Sequence, residues 1–151
     1  MVLRNVISAI LAVVILGGAG LPAMAGGTVT AQTFIEDFTM QPQTRWRFFT
    51  DKVMGGVSTV GIAFAQEDGA SFAQMTGRVS TANRGGFIQM RLDLATPPPS
   101  GTTGVRLIVR GNDQRYFVHL RTGGTLLPWQ YYQASFDVSK SWNEVRLPLV
   151  S

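Results

Sequence analysis

Cysteine is absent from this chain of 151 residues, and histidine occurs once. The first absence excludes a disulfide framework and a thiolate metal site. The second leaves His119, inside a predicted strand, without partner ligands, whereas zinc takes three or four from the protein. Charge is also scarce: Asp, Glu, Lys and Arg make up 15% of the residues. The basic residues are scattered along the chain rather than gathered into a stripe, so the footprint of a nucleic-acid binder is missing. No GxxxxGK(S/T) or GxGxxG phosphate loop and no nucleophile elbow occurs. The nine acidic residues show no spacing that pairs two of them for glycoside hydrolysis. No long apolar stripe at helical spacing is present. These absences leave no catalytic residue, no metal ligand and no cofactor to expect, and they point away from an enzyme.

What is there is an apolar, turn-rich chain. Hydrophobic residues reach 45%, with 17 Gly and 7 Pro, and the formal charge is +4. That composition belongs to a globular domain rather than a disordered segment, and the length fits one domain. The N-terminus reads as an export signal. Arg4 gives a positive start, Val6 to Leu16 is apolar, and Ala23-Met24-Ala25 is an A-x-A cleavage site. Residues 1–25 are therefore expected to be a signal peptide and 26–33 a short linker, with a domain over 34–151. The protein is then periplasmic or extracellular. It meets a membrane only if the signal is left uncleaved, since Val6 to Ala25 could span one if stretched.

The rest of the chain reads as strands. Alternation of apolar and polar residues, or short aromatic and β-branched runs, recur between Gly, Pro, Asn and Asp. The pattern predicts strands at Thr33–Phe38, Arg45–Thr50, Ser58–Ala65, Ser71–Val79, Gly86–Leu94, Gly104–Arg110, Tyr116–Thr122, Tyr131–Val138 and Asn143–Leu149. Gly111 to Gln114 looks like a hairpin link between two of them. Ala95–Gly104, with three prolines in a row, reads as a loop crossing from one sheet to another. Many short strands without helices argue for an all-β sandwich or barrel.

Two glycine pairs stand out. Gly55-Gly56 lies between Asp51 and Ser58, and Gly85-Gly86 follows Asn83 and Arg84. Such pairs supply positive φ or a close backbone approach. They describe either two tight structural turns or a polar loop site at one end of the sandwich. In the first of them Asp51 is expected to cap the turn, Gly55 and Gly56 to take φ > 0, and Val53 and Met54 to pack inward. Trp46 and Trp142 read as core, while Trp129 beside Pro128 reads as exposed in a loop. The candidate binding residues are thus Asp51, Lys52, Gly55, Gly56, Ser58, Asn83, Arg84 and Trp129.

In this order the motifs resemble a known family. Trp46, followed by Phe49 to Ser58 (FTDKVMGGVS), is similar to a W…(S/T)D-x-V-M-G-G-x-S segment. Phe72, Gly77 to Ser80, Asn83 and Gly85-Gly86-Phe87 resemble its F-x-G-x-(V/L)-S…N-x-G-G-F segment, and Val109 to Tyr116 its V-R-G-D-G-R-x-Y. Tyr132-Gln133, Phe136, Trp142 and Leu147-Pro148 complete the likeness. The family is the complex I intermediate-associated protein 30 family, the assembly factors of NADH:ubiquinone oxidoreductase. The resemblance implies a galactose-binding-like jelly-roll β-sandwich. It also implies a chaperone-like assembly module that binds another protein, with no catalytic residues to carry over. The family pattern continues beyond Leu147-Pro148, so the resemblance further implies a C-terminally short sandwich lacking its last strands. An export signal departs from a family whose best-known members work inside mitochondria. By fold analogy alone, a carbohydrate-binding module is the alternative.

Overall fold

The computed structural model describes residues 5–12, 36–98, 102–123, 127 and 130–149, the first of these segments by its backbone alone. The protein is an all-β sandwich with little helix. Its strands are β1 (Asn5–Ala12), β2 (Trp46–Thr50), β3 (Thr59–Glu67), β4 (Ala70–Val79), β5 (Ile88–Leu92), β6 (Gly104–Arg110), β7 (Arg115–Leu120), β8 (Tyr132–Asp137) and β9 (Asn143–Pro148). One sheet has the order β3-β4-β1-β6-β9. Two antiparallel ladders, β2-β5 and β7-β8, make up the rest.

The strand residues explain the layering. In β3 the burial alternates over Thr59 to Phe64, with Val60, Ile62 and Phe64 turned from solvent. The β7 pattern is the same, with Tyr116, Val118 and Leu120 inward. This is the period of a strand covered on one face. Phe64 of β3 meets Phe48 of β2 and Phe38, both at 6.1 Å between ring centroids. These ring contacts join the large sheet to the β2-β5 ladder. The buried apolar core comprises Phe38, Phe72, Ala73, Val109 and Val138. Its centre lies on β4 and β6.

Eight of the predicted strands are found with ends shifted by a few residues. Three features differ. The described part of Thr33–Phe38 is not a strand. Glu36 is buried there and its carboxylate accepts bonds from the Phe38 amide (2.6 Å) and the Trp46 indole N–H (2.9 Å) and pairs with Arg45. Local side-chain bonding has displaced the ladder. The Gly111 to Gln114 link is not a hairpin: β6 pairs with β9 and β7 with β8. Asp113 takes a left-handed φ of 58° and Gly111 N–H donates to Ser139 O, so the chain turns out of one sheet into the other. The strand β1 was not anticipated, because its apolar run reads as an export signal. The Ala95–Gly104 loop does cross between sheets, from β5 to β6.

Trp46 and Trp142 are half-buried, each tied by its indole N–H to a carboxylate, Glu36 and Glu67 respectively. Among the described residues, no helix is long and apolar enough to cross a membrane.

Candidate functional site

The site is built on the two glycine turns, which the fold brings together at the ends of β2 and β5. The segment after β2, Asp51–Met54, is a single 3-10 turn. Its start is capped by Thr50, whose hydroxyl accepts the Lys52 amide at 3.2 Å. Its end is closed by Gly55 at φ 87°, a conformation costly for any residue with a Cβ. Here the sequence reading needs correction, since Thr50 and not Asp51 caps the turn. The second segment, Ala82–Arg84, is another 3-10 turn, with Asn83 and Arg84 at left-handed φ values of 56° and 61°.

Asp51 holds these two turns to each other. It is fully buried, and so is Ser58. One carboxylate oxygen accepts the Ser58 amide at 2.9 Å. The other accepts the Ser58 hydroxyl and the Gly86 amide, the latter at 2.6 Å. The Ser58 hydroxyl in turn accepts the Ser80 amide at 3.0 Å. Burial alone would raise the Asp51 carboxyl, but the bonds from Ser58, Gly86 and Phe87 outweigh it and hold it below the ordinary value. A carboxylate of this kind stays ionised and has its lone pairs engaged. It is a clamp, poorly placed to move protons.

The remaining glycines serve the clamp. An ideal Cβ on Gly56 would lie 2.3 Å from Asp51 Cγ, and one on Gly85 2.3 Å from Asp51 Oδ2. Neither has a positive φ in the left-handed range, so close approach, not backbone freedom, requires glycine at both. This corrects the expectation of φ > 0 at Gly56. At Gly55 that expectation holds.

What the clamp presents is apolar. Val53 is 71% exposed, Met54 62% and Val57 49%. The expectation that Val53 and Met54 pack inward is overturned. Val57 lies between buried Gly56 and buried Ser58, so simple alternation turns it to solvent. Lys52 on the first turn and Asn83 and Arg84 on the second are also exposed. The structure therefore brings together Asp51, Lys52, Gly55, Gly56, Ser58, Asn83 and Arg84 on two clamped turns. Trp129 lies outside the described residues. Val53, Met54 and Val57 were missed as surface residues. The signal for Val57 was its alternation, whereas nothing local in the sequence distinguished an outward Val53 from an inward one.

Elsewhere, His119 is exposed. Its Nε2 is 3.0 Å from the Gln133 side-chain oxygen, and its ring stacks on Tyr131 at 4.1 Å. Among the described residues, no group of three or more His, Cys, Asp and Glu converges as metal ligands.

The sequence pattern of the complex I intermediate-associated protein 30 family matches residues 36–151, a stretch that includes both turns, the clamp and every strand from β2 to β9. No curated protein and no solved structure matches the chain.

Proposed function

The chain belongs to the complex I intermediate-associated protein 30 family, and we propose that it is an exported, non-catalytic module that assists assembly by binding another protein through the clamped turns. Family membership supports an assembly-factor-type module. One observation carries the choice of surface: a fully buried carboxylate fixes two turns, the first of which, with the residue after it, exposes Val53, Met54 and Val57. Exposed apolar side chains on a rigid support are poor at holding solvent and well suited to an apolar patch on a partner. Lys52 and Arg84 add positive charge near that surface, which favours a partner with an acidic rim. The partner is thus a protein surface left apolar at an intermediate stage of assembly. Export rests on the A-x-A site at Ala23-Met24-Ala25, and a mature chain beginning at Gly26 is its signature.

The test is site-specific photo-crosslinking in the producing cell. A photoreactive residue at position 57, also exposed on this surface, is expected to capture a discrete protein, and the pair Val53→Asp and Met54→Asp is expected to abolish that adduct without lowering the melting temperature. Absence of any adduct from position 57, together with glycan-array binding that survives the double substitution, would turn the reading towards the carbohydrate-binding alternative.

A further inference from the structure

Export with cleavage after Ala25 would remove a central strand of the large sheet. The strand β1 pairs antiparallel with β4 over eight positions, from Asn5↔Val79 to Ala12↔Phe72. It pairs antiparallel with β6 from Ile10↔Arg110 to Ala12↔Ile108. The strands β4 and β6 therefore run parallel to each other with β1 between them. Neighbouring strands lie about 4.8 Å apart, so without β1 these two stand roughly 10 Å apart and cannot hydrogen-bond. The walls of that gap carry three of the five buried core residues. Phe72 and Ala73 of β4 and Val109 of β6 belong to the core, and the register sets them opposite Leu11 and Ala12. Two facing rows of unmet N–H and C=O groups beside this core are strongly unfavourable, and they template the addition of a strand.

We infer that the gap between β4 and β6 is a strand-acceptor site, filled after removal of residues 1–25 by an extended apolar segment of the client protein. This deepens the exported, protein-binding reading above and rests on it. The chemistry of the occupant is set by the strand seated there. Asn5–Ala12 (NVISAILA) carries no charge and six aliphatic residues. Near-continuous apolar character is what a strand covered on both faces requires. Its direction is fixed too, antiparallel to both walls. Backbone pairing gives such a site its affinity, and the apolar walls give it selectivity against charged segments. An incompletely assembled protein, with an apolar segment not yet packed, is a source of such a strand.

The experiment uses the full chain with a specific protease site inserted between Ala25 and Gly26. The chain has no cysteine, so Ala9→Cys with Met75→Cys, facing residues in the register, reports on β1 by itself. Oxidation is expected to cross-link this pair within one chain, and failure to cross-link overturns the proposal. In the untethered protein, cleavage is expected to open the gap to a labelled peptide of sequence NVISAILA with a lysine tail. The peptide should bind the cleaved chain one to one and the uncleaved chain not at all. A version with Ala9→Pro, which lacks an N–H and clashes in a central ladder, should bind at least about tenfold more weakly. A cleaved chain that unfolds and is refolded by the peptide also supports the site. A cleaved chain that stays folded and ignores the peptide, or unfolds and is not rescued by it, overturns it. A cleaved chain that dimerises and then resists the peptide assigns the gap to a second copy and overturns the client reading. The Val53→Asp, Met54→Asp variant is expected to bind the peptide as its parent does, so failure at the turns and failure at the gap are told apart.

Discussion

Gly85 gives the sharpest test of the clamp. A methyl group placed there falls 2.3 Å from Asp51 Oδ2, 2.8 Å from Asp51 Cγ and 2.9 Å from the Ser80 carbonyl. Asp51 cannot swing aside freely, because Ser58 and Gly86 hold both of its oxygens. Overpacking of this sort costs about 1–3 kcal/mol. Gly55 is the contrasting site. Its Cβ would meet nothing within 4 Å, and only its φ of +87° resists substitution. Gly55→Ala is therefore expected to cost roughly 1–2 kcal/mol through backbone strain alone. The two costs overlap, so their sizes do not discriminate. The coupling to Asp51 does. In an Asp51→Ala background the Gly85→Ala penalty is expected to shrink, with a coupling of about 0.5–3 kcal/mol typical of touching residues. The Gly55→Ala penalty, which comes from φ and not from contact with the Asp51 side chain, should shrink less. Thermal melts read the difference, at about 2–4 °C per kcal/mol for a chain of this size. An additive Gly85–Asp51 cycle would refute the clamp.

Two further outcomes follow from the carboxylates. The folded Asp51 carboxyl is held below the ordinary aspartate value, so its contribution to stability is fully present above that ordinary value and is lost as pH falls through the lower folded one. Asp51→Asn is expected to flatten the acid limb of stability against pH below about 4, and an unchanged limb would show that the clamp is not what titrates. Glu67 is also held low, first by the Trp142 indole N–H and then by Arg110. Trp142→Phe should move its titration upward towards the ordinary glutamate range, which a carboxyl NMR titration detects. No movement would mean that the indole bond is not formed in solution.

Much of the fold was legible because it is written in alternation. The strands β3, β5, β8 and β9 each appear in the sequence as apolar residues alternating with polar or small ones, and each lies close to its predicted place. The clamp was half legible. Asp51, Ser58 and the two glycine pairs stood out as a group, but the reason for each glycine did not. Gly55 needs a left-handed φ, which a turn pattern reveals. Gly56 and Gly85 are required by a side chain packed against them, Gly85 by one 34 positions away in the chain, and no local pattern carries that. Nor does a local pattern show that Asp51 uses both of its carboxylate oxygens. An amide offers one acceptor, whereas this site presents donors from Ser58 and Gly86 to both carboxylate oxygens. The segment Asn5–Ala12 was illegible as a strand because an apolar run of that kind serves an export signal and a central strand equally well.

The clamp and the apolar tips belong to one argument. A buried carboxylate is a weak device for stability, since desolvation offsets most of what its bonds return and an apolar replacement is often as good. Exposed Val53 and Met54 are likewise unfavourable in water, and a polar pair at the tip would keep the turn soluble. Neither feature is explained by stability. What the carboxylate supplies and an apolar group cannot is direction: it accepts the Ser58 and Gly86 amides at fixed angles and so sets one turn against the other. A surface whose backbone is already held in place loses less conformational entropy when it meets a partner, and that is where a rigid tip gains affinity. The two unfavourable features become consistent once the turns are read as a preformed contact surface, with Asp51 positioning it from within rather than touching the partner.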